Sequence, residues 1–158
     1  MMSKKDMERE ICNLLDDYVV VIDEDRLEEW PDFFLEDAQY RILSRENQEL
    51  GLSAPITYYY SRAMLQDRVT ALRDALTYGA VYMRHIVSPP RIRMQDDGDI
   101  KVSSNVAIYQ STEEGVTRLF VVGRYEDVVV LTDDGPRFRS RDVILDTFAI
   151  PDNIAVPL

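Results

Sequence analysis

The fold is decided by residues 82–150, whose central part, residues 96–135, reads DDGDIKVSSNVAIYQSTEEGVTRLFVVGRYEDVVVLTDDG. Three short segments in it, 96–99, 113–115 and 133–135, combine acidic residues with glycine. They are typical of tight turns, because glycine tolerates positive φ and carboxylates are well solvated at a loop tip. The runs around them are rich in β-branched and aromatic residues, which favour strands. Residues 82–150 therefore predict four long strands joined by three turns.

Strands of this length cannot stay flat. A run of about 14 residues spans on the order of 45 Å, well beyond the usual five or six residues. Long strands twist and coil, so the predicted sheet has one concave face. The first half of the chain is expected to supply the helices that fill it.

The first helix is predicted from Ser3 to about Asp25, because apolar residues recur there at spacings of three and four. Ser3 is expected to cap it, with Asp6 completing a weak capping box. The stretch Tyr18 to Ile22 is apolar nearly all round and is expected to be buried on most sides. A second helical turn, 26–29, is expected to end at Trp30-Pro31, because a residue before proline disfavours the α region.

The remaining elements of the first half are shorter. Residues 38–43 predict a short strand, 45–54 an exposed loop and 56–60 a further short strand. Ser61 is predicted to cap a helix that runs to about Tyr78, with Gly79 as its C′ residue.

Together these elements predict an α+β fold in one domain, residues 1–158: a curved antiparallel sheet wrapped around N-terminal helices. Pro89-Pro90 interrupts the first strand of the meander and predicts an edge or a bulge, because proline cannot donate to the ladder. The apolar tail 151–158 is expected to dock on this chain or on a neighbour.

Composition excludes several classes of function. The net charge is −11, and the basic patch that a nucleic-acid-binding protein needs is not visible. An apolar run of about 18 residues, as in a membrane span, is absent, and the N-terminal residues lack the apolar core of a signal peptide. The single cysteine, Cys12, excludes an internal disulfide and favours a reducing, cytoplasmic location.

The inventory of metal-binding residues is equally restrictive, with His85 and Cys12 the only histidine and cysteine. A Rieske cluster needs two of each, a structural zinc site needs four such ligands, and a facial-triad iron site needs two histidines. One copy of this chain cannot build any of them. Phosphate-binding glycine loops and hydrolase elbows are also missing. We therefore expect no cofactor-binding or metal-binding residue here, and if the protein performs metal or redox chemistry, another polypeptide carries the centre.

His85 admits two interpretations. It could be a general base in the mouth of the concave face, oriented by a carboxylate such as Asp23. The favoured interpretation is a structural histidine in the strand 82–87, bonded to a backbone group or a carboxylate.

Other aromatic and basic residues also allow a functional and a structural interpretation. Tyr58-Tyr59-Tyr60 could line a pocket or interface, or form a half-buried strand. Arg137, Arg139 and Arg141 alternate, which predicts one shared strand face that either receives an acidic partner or balances the acidic chain in solvent. Trp30 with Phe33 and Phe34 is expected in the core, and Cys12 is expected to be inert.

Four groups of residues carry a resemblance to a known family. They are Tyr18, Asp23, Trp30, Phe33-Phe34, Asp37 and Tyr40 in the helical entry; Tyr40-Arg41-Ile42 with Arg45-Glu46-Asn47; residues 61–69, SRAMLQDRV; and residues 84–88, RHIVS, with DNIAV at 152–156. The first group resembles the entry into the cone fold of nuclear transport factor 2. The others are similar to the β (small) subunit of aromatic-ring-hydroxylating dioxygenases, especially those for benzoate- or anthranilate-type acids.

The resemblance implies a partner rather than a catalytic site. In this family the large α subunit holds the Rieske [2Fe–2S] cluster and the mononuclear iron, and the β subunit forms the trimeric base of an α3β3 hexamer. The assembly adds both atoms of dioxygen to an aromatic ring, with electrons that come from NADH through a reductase. An outer sheet surface for the partners is then expected, with Tyr109, Phe120, Tyr125 and Phe138 as its candidate residues.

The alternative function is a free-standing cone-fold isomerase or dehydratase that uses His85 or Asp23 as its base. A third hypothesis is a ligand-binding module of the same fold without chemistry. The state of the cone interior distinguishes them, because an enzyme or a binding module keeps an open cavity and a scaffold fills it with its own side chains.

Overall fold

A computed structural model describes residues 3–52, 54–75, 81–147 and 154–158. The α-helices within these ranges are α1 (Lys4–Asp23), α2 (Arg45–Glu49) and α3 (Arg62–Asp74), and a 3₁₀ helix spans Leu27–Phe33. The strands are β1 (Phe34–Ser44), β2 (Thr57–Tyr59), β3 (Val81–Val87), β4 (Arg91–Met94), β5 (Ile100–Thr112), β6 (Thr117–Thr132) and β7 (Gly135–Leu145). No helix in the described part of the chain is long and apolar enough to cross a membrane.

The strands form one curved sheet in the order β2-β1-β7-β6-β5-β3, with β4 also paired to β5. The meander of long strands is confirmed, since β5, β6 and β7 contain 13, 16 and 11 residues. The predicted α+β class, a curved sheet around N-terminal helices, is confirmed as well. One pair departs from the antiparallel pattern: β1 runs parallel to β7. A parallel pair needs a long crossover, and here most of the chain lies between the two strands.

The predicted first strand of the meander is two strands. β3 and β4 both pair with β5, and Pro89-Pro90 lies between them. The predicted interruption is therefore confirmed, and it lies at an edge of the sheet, where the missing proline N–H groups cost no ladder hydrogen bond.

Three predictions for the first half were wrong in detail. The 3₁₀ helix continues through Trp30-Pro31 instead of ending there, because the φ of proline also suits a 3₁₀ helix. Strand β1 begins at Phe34 rather than at residue 38. The expected loop 45–54 begins with α2, whose N-cap Ser44 accepts a hydrogen bond from the Asn47 N–H at 3.2 Å.

Both serine caps are confirmed. The Ser3 Oγ accepts from the Asp6 N–H at 3.1 Å, and the Ser61 Oγ accepts from the Met64 N–H at 3.4 Å. The expected burial of 18–22 on most sides is confirmed at Tyr18, Val21 and Ile22, whereas Val20 is 43% exposed because α1 faces the sheet along one stripe. The predicted continuation of α3 to Tyr78 and Gly79 lies outside the described residues.

Candidate functional site

The concave face of the sheet brings His85 and Asp23 together. Asp23 is the last residue of α1, and His85 is in β3. Asp23 Oδ1 lies 2.6 Å from His85 Nδ1, and Asp23 Oδ2 accepts the backbone N–H of His85 at 3.0 Å. The predicted histidine–carboxylate contact is therefore present, and it occupies the Nδ1 side of the imidazole.

Burial limits what this pair can do. The His85 side chain is 0% exposed and that of Asp23 is 3% exposed. A general base must come within hydrogen-bond reach of a substrate proton, through Nε2 in this arrangement. Nε2 is buried, and among the described residues it has no hydrogen-bond partner. Both Asp23 oxygens are used to hold β3, so the contact joins α1 to the edge of the sheet as the structural interpretation expects.

The centre of the cone holds an ion pair that the sequence did not predict. Arg141 Nε and Nη2 donate to the two Asp127 carboxylate oxygens at 2.9 and 2.8 Å, and the side chains are 1% and 0% exposed. The guanidinium carbon lies 4.0 Å from the Tyr18 ring centre and 4.1 Å from that of Tyr125. Burial alone would lower the pKa of Arg141, but the Asp127 carboxylate keeps it above its ordinary value. Arg141 is therefore a charged, aromatic-stacked core residue.

A β-bulge explains why the alternation of Arg137, Arg139 and Arg141 did not predict their strand faces. The β6–β7 register shifts between Val128 and Val129, so Phe138 and Arg141 both point inward. Arg139 remains exposed and contacts Asp99 at 3.4 Å. The prediction that Arg137, Arg139 and Arg141 share one face is wrong.

The chain's own tail closes the aromatic end of the cone. Leu158 is 0% exposed, and its carbonyl oxygen accepts from the Tyr18 hydroxyl at 2.9 Å and from the Tyr40 hydroxyl at 3.2 Å. The Leu158 N–H donates to Tyr40 Oη at 3.0 Å. Arg68 Nη2 donates to the Ala155 carbonyl at 2.7 Å. For residues 154–158 the expected docking is confirmed, and it takes place on this chain.

Further aromatic side chains pack against the two tyrosines that bind Leu158. Trp30 Nε1 donates to Tyr18 Oη at 3.2 Å, and the Trp30 ring packs edge-on against Tyr40 at 5.3 Å. Trp30 and Phe34 are buried, as predicted for core residues. Burial raises the pKa of Tyr18 and raises that of Tyr40 well above its ordinary value, so both hydroxyls stay neutral donors.

The other residues named from the sequence lie outside this core. In Tyr58-Tyr59-Tyr60 only Tyr59 turns inward, where it stacks on Tyr40 at 6.1 Å, and its neighbours are exposed. Cys12 is half-buried, and burial with the nearby Asp16 raises the pKa of its thiol, which lowers its reactivity.

The outer face of the sheet carries an apolar patch, but mostly not the predicted one. Of the four candidates Tyr109 is 39% exposed, whereas Phe120, Tyr125 and Phe138 are buried. Their strand faces are set by register and bulges that the sequence does not show. The exposed apolar residues around Tyr109 form what we call the outer apolar patch: Tyr82, Ile86, Tyr109, Leu119 and Val122. This patch is continuous across the strands. Tyr109 pairs with Leu119, and Ile86 and Val122 both pair with Ala107 of β5.

Four cavities lined by described residues lie on the outside of the sheet or beside α1. Within the described ranges, no group of three or more His, Cys, Asp or Glu side chains is placed to hold a metal ion. The arrangement can support packing and docking, and the two candidate bases, His85 and Asp23, are buried in it.

Comparison with known proteins identifies the family. A family model described as the ring hydroxylating beta subunit matches residues 19–152. The chain belongs to this family of ring-hydroxylating β subunits.

Individual relatives agree along nearly the whole chain. It is 39% identical over 149 residues to the small subunit of anthranilate 1,2-dioxygenase from Burkholderia cepacia, covering 94% of this chain and 92% of that protein. It is 33% identical over 141 residues to the terminal oxygenase component subunit beta 1 of a terephthalate 1,2-dioxygenase from a Comamonas species, covering 89% and 92%. The solved β subunit of a proposed aromatic-ring-hydroxylating dioxygenase from Novosphingobium aromaticivorans superposes with a TM-score of 0.84 at 32% identity, covering 94% of each chain.

Proposed function

We propose that this chain is a non-catalytic, structural small subunit of an aromatic-ring-hydroxylating dioxygenase. Its substrates would be aromatic acids of the benzoate or anthranilate type, which the enzyme converts to cis-dihydrodiols. The similarity to subunits of anthranilate and terephthalate dioxygenases supports this substrate class.

The observation that carries the proposal is the packing of described side chains inside the cone. Arg141, Tyr40 and Leu158 occupy the interior that a cone-fold enzyme would keep open for its substrate. The alternative, a free-standing isomerase or dehydratase, would need His85 or Asp23 to reach a ligand, and both side chains are buried.

The chemistry then belongs to a large α subunit. We propose that this partner carries the Rieske [2Fe–2S] cluster and the mononuclear iron, since one histidine and one cysteine in this chain cannot supply the ligands. Electrons from NADH would reach it through a separate reductase.

Assembly is the role left for this chain. We propose that residues 1–158 act as one cytoplasmic domain, present as a homotrimer inside an α3β3 hexamer. The outer apolar patch is the surface proposed to contact the α subunit, because a continuous exposed apolar surface of this kind is typical of a protein–protein interface.

Copurification tests the proposal. The chain, tagged at either end in separate preparations, is expressed with the large subunit of its native host, and the complex is analysed by absorption spectroscopy. A brown complex with a Rieske spectrum is expected. The patch variant Ile86→Glu should lose the large subunit, whereas Leu50→Glu, at an exposed leucine outside the patch, should keep it. A colourless chain that purifies alone with both tags would overturn the proposal.

A further inference from the structure

Three cations on the outer face of the sheet have no partner among the described residues. Arg93 in β4 lies directly opposite Lys101 in β5, and Arg91 lies two residues from Arg93 on the same face. All three are exposed. Throughout the described ranges, none of their side chains has a hydrogen bond or an ion pair. Like charges directly opposite each other destabilise a strand pair, so this arrangement favours an anionic partner.

These cations line a groove with a volume of about 340 Å³, which we call the basic groove. The carboxylates on its other wall are already occupied. Glu126 accepts from Arg124 at 2.9 Å, and Asp142 accepts from Arg41 at 2.8 and 2.5 Å. They cannot neutralise the three free cations, and the groove stays locally positive on a chain of net charge −11.

A complementary groove lies elsewhere on the same chain, between α1, the 3₁₀ helix and the β6–β7 turn. Its volume is about 310 Å³, and its charged lining is made of Glu10, Asp17, Glu29, Asp32 and Asp134, with Arg137 as the one cation among these described residues. Asp17 and Asp134 are exposed and have no ion pair with any described residue. We call it the acidic groove.

We propose that the basic groove of one copy of this chain docks against the acidic groove of a second copy. The two surfaces differ, so the contact is heterologous, and each copy has one of each surface to offer. Such a contact closes into a ring when its rotation divides a full turn evenly, as the proposed trimer requires. This inference rests on the proposed trimer and assigns the surfaces that would build it. The basic and acidic grooves are complementary in charge, which favours a second copy of this chain as the partner.

A charge-swap experiment tests the contact on the complex of the chain with its large subunit, by sedimentation velocity. The basic-groove variant, Arg93→Glu with Lys101→Glu, should raise the dissociation constant of the ring at least about tenfold. The acidic-groove variant, Asp17→Lys with Asp134→Lys, should do the same. A variant with all four substitutions should restore the ring. Lys4→Glu with Lys5→Glu is the matched control, because it changes the net charge of the chain equally at an exposed site near the N-terminus, and it should leave the ring intact.

The outcomes separate this inference from the proposed function. Smaller complexes that keep the large subunit, with recovery in the fourfold variant, support the contact. An unchanged mass in both twofold variants overturns it, as does a fourfold variant that stays dissociated while its circular dichroism spectrum matches the wild type. Loss of the large subunit from an intact ring would assign the basic groove to that partner instead and would also overturn the inference. A wild-type chain that never binds a large subunit contradicts the proposed function, yet its own oligomeric state still tests the contact.

Discussion

Replacing Asp127 with asparagine should destabilise the protein severely. The substitution leaves the Arg141 guanidinium in the core without its counter-charge, at a site where both side chains are at most 1% exposed. Breaking a buried pair in this way costs about 3–5 kcal/mol, a large share of the roughly 5–15 kcal/mol that stabilises a typical domain. We therefore expect Asp127→Asn to lose about 3–5 kcal/mol of unfolding free energy.

Two matched variants show where this cost comes from. Arg141→Met with Asp127→Leu removes both charges and keeps much of the volume, so it should lie near the wild type or above it. Asp142→Asn removes the partner of Arg41 in an ion pair of similar geometry on the outer face, where the side chains are 17% and 38% exposed. That loss should be about 0–1 kcal/mol, because solvent screens the remaining charge.

The assay is urea unfolding followed by the fluorescence of Trp30, the only tryptophan, which is fully buried beside this cluster. A loss below about 1 kcal/mol for Asp127→Asn would refute the reasoning. The reasoning would also be refuted if Arg141→Met with Asp127→Leu were as unstable as Asp127→Asn. The loss of stability would then come from altered packing rather than from an unpaired charge.

Three further predictions concern the rest of the fold. Gly123→Ala should lower the thermal midpoint sharply, measured by calorimetry, because an added Cβ would lie 2.1 Å from a carbonyl oxygen of the neighbouring strand. Hydrogen bonding to Arg73 lowers the pKa of Glu28 from 4.5 to about 2. The stability that this adds is complete above pH 4.5 and is lost as the pH falls through 2. In that window the unfolding free energy of Glu28→Gln should therefore change less with pH than that of the wild type. Arg68→Met should release the tail, seen as faster hydrogen exchange at Ala155, Val156 and Leu158, because it removes the 2.7 Å bond to the Ala155 carbonyl.

Local signals in the sequence predicted local structure well. Ser3 and Ser61 are caps because a hydroxyl two or three residues before free N–H groups is a short-range feature. Pro89-Pro90 marks a sheet edge for an equally local reason, the lack of an N–H. Long β-branched runs between acidic glycine turns were sufficient for the meander.

Long-range features were not predictable in the same way. The inward turn of Arg141 depends on a bulge in the pairing of two strands, and no residue pattern within either strand shows it. The parallel pairing of β1 with β7 joins segments that are far apart in sequence. Docking of the tail was expected, but its recognition by the Tyr18 and Tyr40 hydroxyls needed the fold.

The central claim is that this chain supports a catalytic partner and supplies no reacting group itself. The most direct test is turnover per assembled complex, with the large subunit and reductase present, for the wild type and for His85→Asn. The account predicts unchanged turnover per complex once assembly is matched by sedimentation, even if the yield of complex falls. A loss of about a hundredfold or more in a fully assembled complex would contradict it, because general acid–base catalysis contributes effects of about that size.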